Sequence, residues 1–578
     1  MSLMSPWGEK LDPTCPLPEY PRMLLQRSSY TNLNGMWEFQ ITGSSEKYRE
    51  DAWERICVPF ALGSKLSLTD KQLQPGQVLW YRRRFRYEAR LPHTLLNFEA
   101  VDQVCEVFLN GLPVGGHRGG YAPFSLDVSG AVLPSNELIV RCTDDSDTGL
   151  YAYGKQRLKH GGMWYTPSSG IWQTVWMEDV SDGYVQDIQI QADYDTGDVS
   201  FQLSGNFSQA VISVAEDRKI IGRGVTNDGT YVMHLDRFRP WSPDDPFLYD
   251  VYVQTEDDTI KSYFGMRKFS ADKDANGCTR FCLNGKPLFL SGLLDQGYSV
   301  DGLMTYPSDE AMEYELSTIR ALGFNMLRKH VKVECRRWYY RCDQLGILVM
   351  QDMPNGGGPY QDGVTLVWPT LGRRRIRDDQ YEKFGRASET GRKIYYAELD
   401  AMLKELSGAV SVFAWVPFNE GWGQFDSAAV TQHIRQLDPV RLVDSASGWF
   451  DQKAGDFNSR HVYFRPFRAH PGRDERILLL SEFGGYSYLE PLHSEAKKLY
   501  GYRKYKDRLM LDNAVQDLYQ KDILAQIPKG LCGCIYTQVS DVEDECNGLF
   551  TADRRILKID SRRMRRINEK CIRGAISE

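Results

Sequence analysis

The sequence predicts a multidomain protein of combined β and α/β class, in which two β-sandwiches precede a C-terminal (β/α)₈ TIM barrel. Two observations predict this order. Short β-rich segments separated by turns occupy the first half of the chain, whereas apolar strand-like runs alternate with amphipathic helical segments in the second half. The length of 578 residues suits roughly three to five domains of ordinary size.

Residues 1–180 are predicted to form the first sandwich, a jelly roll. Its strands include residues 37–40, 79–81 and 105–109, which are rich in aromatic and branched side chains. Asn110-Gly111, directly after the last of these strands, is a strong hairpin signal. The segment contains no convincing pattern of a long amphipathic helix.

Residues 181–272 are predicted to form a second, immunoglobulin-like β-sandwich. Strand-like runs at 185–190, 210–214, 231–235 and 248–253 are spaced by polar turns. A length of about 90 residues suits a domain of this kind.

Residues 273–578 are predicted to form the barrel. An amphipathic helix is expected between Ser308, a plausible N-cap, and Gly323, a stop signal. Strands that alternate with such helices form βαβ units, and eight units in about 300 residues fit a (β/α)₈ barrel. The predicted strands end near eight residues, which are Asp295, His330, Asp352, Glu420, Trp449, Tyr463, Glu482 and Gln538.

Composition excludes several other classes of protein. The formal net charge of -7 argues against non-specific nucleic-acid binding, which needs a basic surface. Apolar runs of about 18 residues, which a transmembrane helix requires, are missing, so no membrane association is expected. The N-terminus lacks the basic start and apolar run of a signal peptide, which predicts a cytoplasmic protein with reduced thiols. The 12 cysteines show no metal-ligand spacing.

Two carboxylates follow apolar runs at predicted strand ends. Asn419-Glu420 comes after residues 412–418, and Ser481-Glu482 comes after residues 477–480. Because barrel enzymes carry their sites at the carboxyl ends of the strands, both glutamates are expected over one pocket. Glycoside hydrolysis needs such a pair, one protonated to assist the leaving oxygen and one ionised. A solvated loop is the ordinary position of a single glutamate, but two in these contexts favour the catalytic interpretation.

The chain resembles glycoside hydrolase family 2, which includes β-galactosidases, β-glucuronidases and β-mannosidases. The resemblance extends over nearly the whole chain. Its most specific segments are Asn419-Glu420-Gly421-Trp422 and Ser481-Glu482-Phe483-Gly484. Weaker matches are Phe98-Glu99-Ala100-Val101-Asp102, Leu109-Asn110-Gly111, Ser169-Gly170-Ile171-Trp172-Gln173-Thr174-Val175-Trp176, Phe264-Gly265-Met266-Arg267 and Leu283-Asn284-Gly285-Lys286-Pro287.

The resemblance implies Glu420 as acid/base, Glu482 as nucleophile, and Asn419 as the partner of the sugar 2-hydroxyl. It further implies that an arginine after the second strand orients the nucleophile and that a tyrosine after the sixth strand hydrogen-bonds it. For Asp295 and His330, a supporting role and a substrate contact are both open. The predicted substrate-binding set is therefore Asn419, Asp352, Arg328, His330, Tyr463, Trp449, Asp295 and Gln538.

Two features depart from the family pattern, and one adds to it. Tyr536-Thr537-Gln538 stands where members often have a tryptophan, and the Asn-x-Lys element by which β-glucuronidases recognise a carboxylate is not evident. A basic set on the predicted loops is interpreted as a solvated surface, with a rim that attracts acidic sugars as the alternative. Its members are Arg373, Arg374, Arg375, Arg377, Arg465 and Arg468.

The resulting prediction is a retaining exo-β-glycosidase, β-galactosidase-like, that acts on a carbohydrate substrate without a cofactor or metal. A β-glucuronidase or β-mannosidase of the same family and a catalytically silent carbohydrate-binding protein are the alternatives. A metal-dependent hydrolase is disfavoured, since no His-Glu-x-x-His or comparable cluster occurs. The resemblance leaves homo-oligomer formation open.

Overall fold

The protein is described by a computed structural model that covers residues 3–372, 376–470 and 474–574. The first sandwich contains strands β1 (Thr31–Asn32), β2 (Gly35–Gly43), β3 (Glu54–Val58), β4 (Gln77–Arg86), β5 (His93–Phe98), β6 (Val101–Asp102), β7 (Val104–Leu109), β8 (Leu112–Arg118), β9 (Phe124–Asp127), β10 (Ser135–Thr143), β11 (Gly170–Ile171) and β12 (Val175–Val180).

These strands form two main antiparallel sheets that share one core. The six-stranded sheet has the order β3-β2-β4-β10-β7-β8, and the four-stranded sheet has the order β1-β12-β5-β9. Alternate residues of β2, such as Trp37 and Phe39, are buried and pack with Phe98 and Met177 of the other sheet. This alternation is the reason why the sequence pattern predicts a half-buried strand.

The second sandwich contains strands β13 (Val185–Ala192), β14 (Asp198–Gly205), β15 (Ala210–Glu216), β16 (Lys219–Thr226), β17 (Thr230–His234), β18 (Tyr249–Gln254) and β19 (Thr259–Phe264). A three-stranded sheet, β13-β14-β17, packs on a four-stranded sheet, β16-β15-β18-β19, around Phe201 and Val251. A small sheet follows, with β20 (Phe269–Lys273), β21 (Thr279–Leu283) and β22 (Lys286–Pro287). Phe281 of this sheet packs on Phe413 of the barrel.

The barrel contains β23 (Leu290–Asp295), α1 (Asp309–Ala321), β24 (Met326–Lys329), α2 (Arg336–Leu345), β25 (Leu348–Asp352), α3 (Trp368–Thr370), α4 (Glu389–Leu406), β26 (Val412–Val416), α5 (Ser427–Leu437), β27 (Leu442–Val443), β28 (Phe457–Val462), β29 (Ile477–Gly484), β30 (Tyr486–Ser487), β31 (Arg503–Lys504), α6 (Arg508–Leu518), β32 (Leu531–Thr537) and α7 (Ser561–Gly574). Eight parallel strands follow the order β27-β26-β25-β24-β23-β32-β29-β28. The predicted fold class is confirmed.

Alternation along the barrel strands separates two layers. In β24, Met326 joins the apolar cluster that fills the lower barrel, whereas Leu327 joins the cluster that contains Trp338 of α2. Arg328, two residues after Met326, therefore points into the barrel above that apolar floor. The same alternation places polar side chains at the carboxyl ends of the other strands over one site.

The predicted boundaries at residues 180 and 272 fall at the end of β12 and within β20, respectively. The division into three domains stays a prediction. Among the described residues, no helix combines the length and apolarity needed to cross a membrane.

Candidate active site

Glu420 and Glu482 meet over the carboxyl end of the barrel. One carboxylate oxygen of each glutamate and one ring nitrogen of His461 lie within 4.8 Å of one another. The side chain of Glu482 is 7% exposed and that of Glu420 is 12% exposed. Two acidic groups this close and this shielded repel each other, so one of them is favoured in its protonated form.

The turn after β26 gives Glu420 its position. Glu420 has a φ of 49° and Gly421 a φ of 78°, so the chain turns through two left-handed residues. A Cβ at Gly421 would come within 2.6 Å of the Phe450 ring, which favours glycine there. The Glu420 amide donates to the Ser447 carbonyl at 2.9 Å, which ties the turn to the segment after β27.

Arg328 connects three of the other predicted site residues. Its Nε donates to Asp352 at 2.9 Å, Nη2 donates to Asn419 Oδ1 at 2.8 Å, and Nη1 donates to Glu482 Oε1 at 3.3 Å. Burial alone would lower the pKa of Arg328, but the Asp352 and Glu482 carboxylates raise it overall. The guanidinium therefore stays charged and holds these groups in one arrangement.

Glu482 also accepts a hydrogen bond from Tyr463, whose hydroxyl lies 3.0 Å from Thr537 Oγ1. The Tyr463 ring stacks on Tyr502 with the ring centres 3.7 Å apart. Burial raises the pKa of Glu482 above its ordinary value, and Glu420, whenever it is ionised, adds to this. Arg328 and the Tyr463 hydrogen bond act in the opposite direction and favour the carboxylate.

His461 lies between the two glutamates and was not among the predicted site residues. Its Nδ1 is 2.7 Å from Glu420 Oε1 and 3.5 Å from Glu482 Oε2. Burial lowers the pKa of His461 to about 3, so the ring is neutral near pH 7. The signal that could have found it is strand alternation, because His461 in β28 stands two residues before Tyr463, which follows the strand directly.

The remaining predicted residues divide into two groups. His330 Nδ1 lies 2.7 Å from Asp352, and the Trp449 ring lies 5.4 Å from the His461 ring, so both border the site. Asp295 instead pairs with Lys329 at 2.7 Å, on the face of β24 opposite to Arg328.

Gln538 lies in a completely buried position beside the first barrel strand. Its Oε1 accepts from Gln296 at 2.6 Å, while its Nε2 has no partner among the described residues.

A segment of the first sandwich, residues 150–166, borders the opening of the site above the barrel. The Trp164 ring lies 5.0 Å from the Trp422 ring, and Trp422 is two residues after Glu420. Lys155 pairs with Glu545 at 3.4 Å, and both side chains are at most 6% exposed. Sequence reasoning did not assign this segment to the site, since no local pattern indicates which distant loop a sandwich covers.

Glu420, His461 and Glu482 have the donor atoms of a metal site, but their surroundings fit a cation poorly. Arg328, 3.3 Å from Glu482, places a fixed positive charge beside the three groups. His461 Nδ1 already contacts Glu420 at 2.7 Å. Both contacts disfavour a cation at this position.

The six arginines predicted on the loops do not form one cluster among the described residues. Arg373–Arg375 lie outside the described residues, and Arg377 pairs with Asp379. Arg468 pairs with Asp522 at 3.2 Å. Arg465 lines a cavity of about 310 Å³ that Tyr463 also lines. The rim for acidic sugars therefore stays a hypothesis.

Comparison with known protein families gives two matches. The model of "Glycosyl hydrolases family 2, TIM barrel domain" matches residues 277–557, and that of "Glycosyl hydrolases family 2" matches residues 178–267.

Curated relatives carry two different names. A β-galactosidase of Thermoanaerobacter pseudethanolicus is 24% identical over 360 residues, which are 56% of this chain and 46% of that protein. The β-glucuronidase of Rattus norvegicus is 23% identical over 480 residues, 72% of this chain and 68% of that protein. The chain spans 40% of a putative β-glucuronidase of Formosa agariphila, so it covers less than half the length of several of these relatives.

Solved structures share the fold over nearly the full chain. A β-glucuronidase of an uncultured Clostridium sp. superposes with a TM-score of 0.74 at 17% identity, covering 95% of this chain and 100% of that one. A β-galacturonidase of Eisenbergiella tayi superposes with a TM-score of 0.68 at 17% identity, covering 96% and 98%.

Proposed function

We propose that this chain, which belongs to glycosyl hydrolase family 2, hydrolyses a terminal β-linked sugar and retains the configuration of the anomeric carbon. The proposal rests on one observation, that a Glu420 oxygen lies within 4.8 Å of a Glu482 oxygen. Retaining pairs stand roughly 5–5.5 Å apart, whereas inverting pairs stand about 6.5–9.5 Å apart to admit a water molecule. The separation favours direct attack by a glutamate.

In the first step, Glu482 attacks the anomeric carbon while Glu420 donates a proton to the leaving oxygen. In the second step, Glu420 removes a proton from water, and that water displaces Glu482 from the sugar. Arg328 and Tyr463 contact Glu482 and favour its carboxylate form, which both attacks and leaves.

The hydrogen bonds among the site residues show which of their donors and acceptors remain available to a substrate. Asn419 Oδ1 accepts from Arg328, so the Asn419 amide NH₂ is left to donate to the sugar 2-hydroxyl. Both oxygens of Asp352 are engaged, by Arg328 and by His330, which suits a positioning role. Burial lowers the pKa of His330 to about 4, so its second ring nitrogen is a neutral acceptor.

A neutral sugar, as in a β-galactosidase, suits the pocket better than a uronate. Uronate recognition needs a cation that is not already neutralised. Arg328 pairs with Asp352 and Glu482, and Lys155 pairs with Glu545, so neither cation is available to a uronate. Arg465, which lines the cavity beside Tyr463, and Arg157, which stacks on Trp164, are the cations that a uronate would have to use instead. The names of the structural relatives favour a β-glucuronide or β-galacturonide as the second candidate, and a β-mannoside is the third.

A panel of chromogenic aryl β-glycosides tests the proposal, with galactoside, glucoside, mannoside, glucuronide and galacturonide compared with and without a chelator. We expect chelator-independent release from a neutral glycoside and a first-formed β-sugar by NMR. An α-sugar as first product would overturn the retaining mechanism. Binding of sugar without release of any aglycone would identify a carbohydrate-binding protein instead.

A further inference from the structure

A line of buried hydroxyl groups joins Asp444 to the catalytic site. Asp444 Oδ2 accepts from Ser459 Oγ at 2.7 Å. Ser459 Oγ lies 3.2 Å from Ser447 Oγ, and Ser447 Oγ lies 3.1 Å from His461 Nε2. The opposite ring nitrogen of His461 contacts Glu420 at 2.7 Å. The line therefore runs without a gap from a carboxylate to the proposed acid/base.

The line lies inside the barrel and is shielded from solvent. Asp444 is 1% exposed, Ser447 is fully buried, and Ser459 is 6% exposed. They come from the segments after β27 and in β28. Ser481 Oγ of β29 lies 2.6 Å from Ser459 Oγ and 3.2 Å from Ser447 Oγ and is a neutral acceptor for either proton, whereas Asp444 offers Ser459 a charged one. Buried hydroxyl groups of this kind have fixed partners, and each hydroxyl carries only one proton to donate.

We propose that Asp444 is a positioning residue for the acid/base, acting through Ser459, Ser447 and His461 to keep a proton on Glu420. This inference rests on the proposed glycosidase function. The Asp444 carboxylate accepts the proton of Ser459, so the Ser459 oxygen is free to accept from Ser447. The Ser447 oxygen then accepts from His461 Nε2–H. His461 Nδ1 is thereby left with a lone pair, to which protonated Glu420 donates.

The Asp444 charge and the orientation that it imposes on the hydroxyl line act on Glu420 in the same direction. A negative charge at the far end of a buried line stabilises a proton anywhere along it. Burial raises the pKa of Asp444 to about 6, so this charge is present at pH 7. Removing it should make Glu420 a stronger acid that loses its proton at lower pH.

Other charged groups face the same line and remain in place when Asp444 changes. Arg328 Nη1, 3.5 Å from His461 Nε2, opposes the tautomer proposed, but the Ser447 contact is shorter at 3.1 Å. The groups that act on His461 or Asp444 are Glu420, Glu482, Arg328, His330, Asp352 and Asp451.

The test compares Asp444→Asn and Ser447→Ala with a matched control, Ser445→Ala. Ser445 is 1% exposed and lies in the same segment, but its hydroxyl contacts Thr431 Oγ1 at 2.9 Å in the helix layer. The measurement is the pH profile of kcat/KM on an aryl glycoside with a poor leaving group, together with the melting temperature of each variant.

We expect the basic limb of the profile to move to lower pH by about 0.5–1 unit in Asp444→Asn and in Ser447→Ala. At a pH well above the wild-type limb this corresponds to a loss of about 3–10-fold in kcat/KM. An activated aryl glycoside, which needs little protonation, should lose less. Ser445→Ala should keep the wild-type limb.

Two results would overturn the inference. If the wild type releases aglycone but the limb of folded Ser447→Ala is unmoved, only the role of the hydroxyl line fails. If the wild type releases no aglycone from any glycoside, the proposed function and this inference fail together. Because Ser447→Ala leaves the Asp444 charge in place, it remains a valid test where Asp444→Asn does not fold.

Discussion

At the scale of single residues, the two glutamates should respond differently to removal. Glu482→Ala should lose turnover of every glycoside, because no covalent intermediate can form. Glu420→Ala should impair substrates with poor leaving groups far more than activated aryl glycosides, since only the former need a proton. Added azide should restore Glu420→Ala and form a β-glycosyl azide, which NMR identifies. Equal losses on both substrate types would remove Glu420 from the acid/base role.

The site residues that sequence predicted best follow apolar strands directly. Glu420, Glu482 and Arg328 were expected at strand ends, and the structure brings all three together. His461 escaped prediction because a buried histidine in a strand has many structural explanations. Its role depends on which side chains surround it in the fold. Glu420 lies after β26 and Glu482 lies in β29, so neither is near His461 in the sequence.

At the scale of secondary structure, the helix signals around α1 were accurate. Ser308 precedes α1, and its side chain accepts from the Ala311 amide at 3.2 Å, so the predicted N-cap is confirmed. Gly323 follows the helix with a φ of 84°, as a stop signal requires. Caps are local devices, which is why sequence alone identifies them.

Loss of this cap should have a small and specific effect. Ser308→Ala leaves the Ala311 amide without its side-chain partner, which should lower the free energy of unfolding by about 1 kcal/mol. Ser308→Asp should keep the cap and the stability. Urea unfolding measures both, and kcat/KM should be unchanged, since α1 lies on the outside of the barrel. A Ser308→Ala protein as stable as the wild type would contradict the capping role.

At the scale of the whole molecule, the order of the two sandwiches and the barrel along the chain was predictable, but the way they pack on one another was not. The spacing of apolar residues shows whether a strand has one buried face or two. Strands with one buried face indicate a sandwich, and fully apolar strands between helices indicate a barrel. This spacing does not show which loop covers which cleft. The contact of Tyr153 with Asn355, at 2.9 Å between amide and carbonyl, joins residues that are about two hundred positions apart. Such pairing depends on shape complementarity between finished units.

The docking of the first sandwich should matter for catalysis through Trp164. Its ring packs on Trp422, and the Trp422 amide donates to the Asn419 carbonyl at 2.9 Å, so Trp164 supports the turn that carries Glu420. Aromatic pairs of this kind contribute about 0.5–1.5 kcal/mol. Trp164→Ala should therefore reduce kcat/KM by roughly 2–10-fold, and Trp164→Phe by less.

Trp53 provides a matched control for this prediction. It belongs to the same sandwich, and Arg82 lies 4.2 Å above its ring, much as Arg157 lies 3.6 Å above Trp164. Trp53 packs with Tyr48, away from the barrel. Trp53→Ala should therefore lower the melting temperature without changing kcat/KM of the folded protein. If Trp164→Ala behaves in the same way, the first sandwich supports the barrel only as a structural neighbour and takes no part in positioning Glu420.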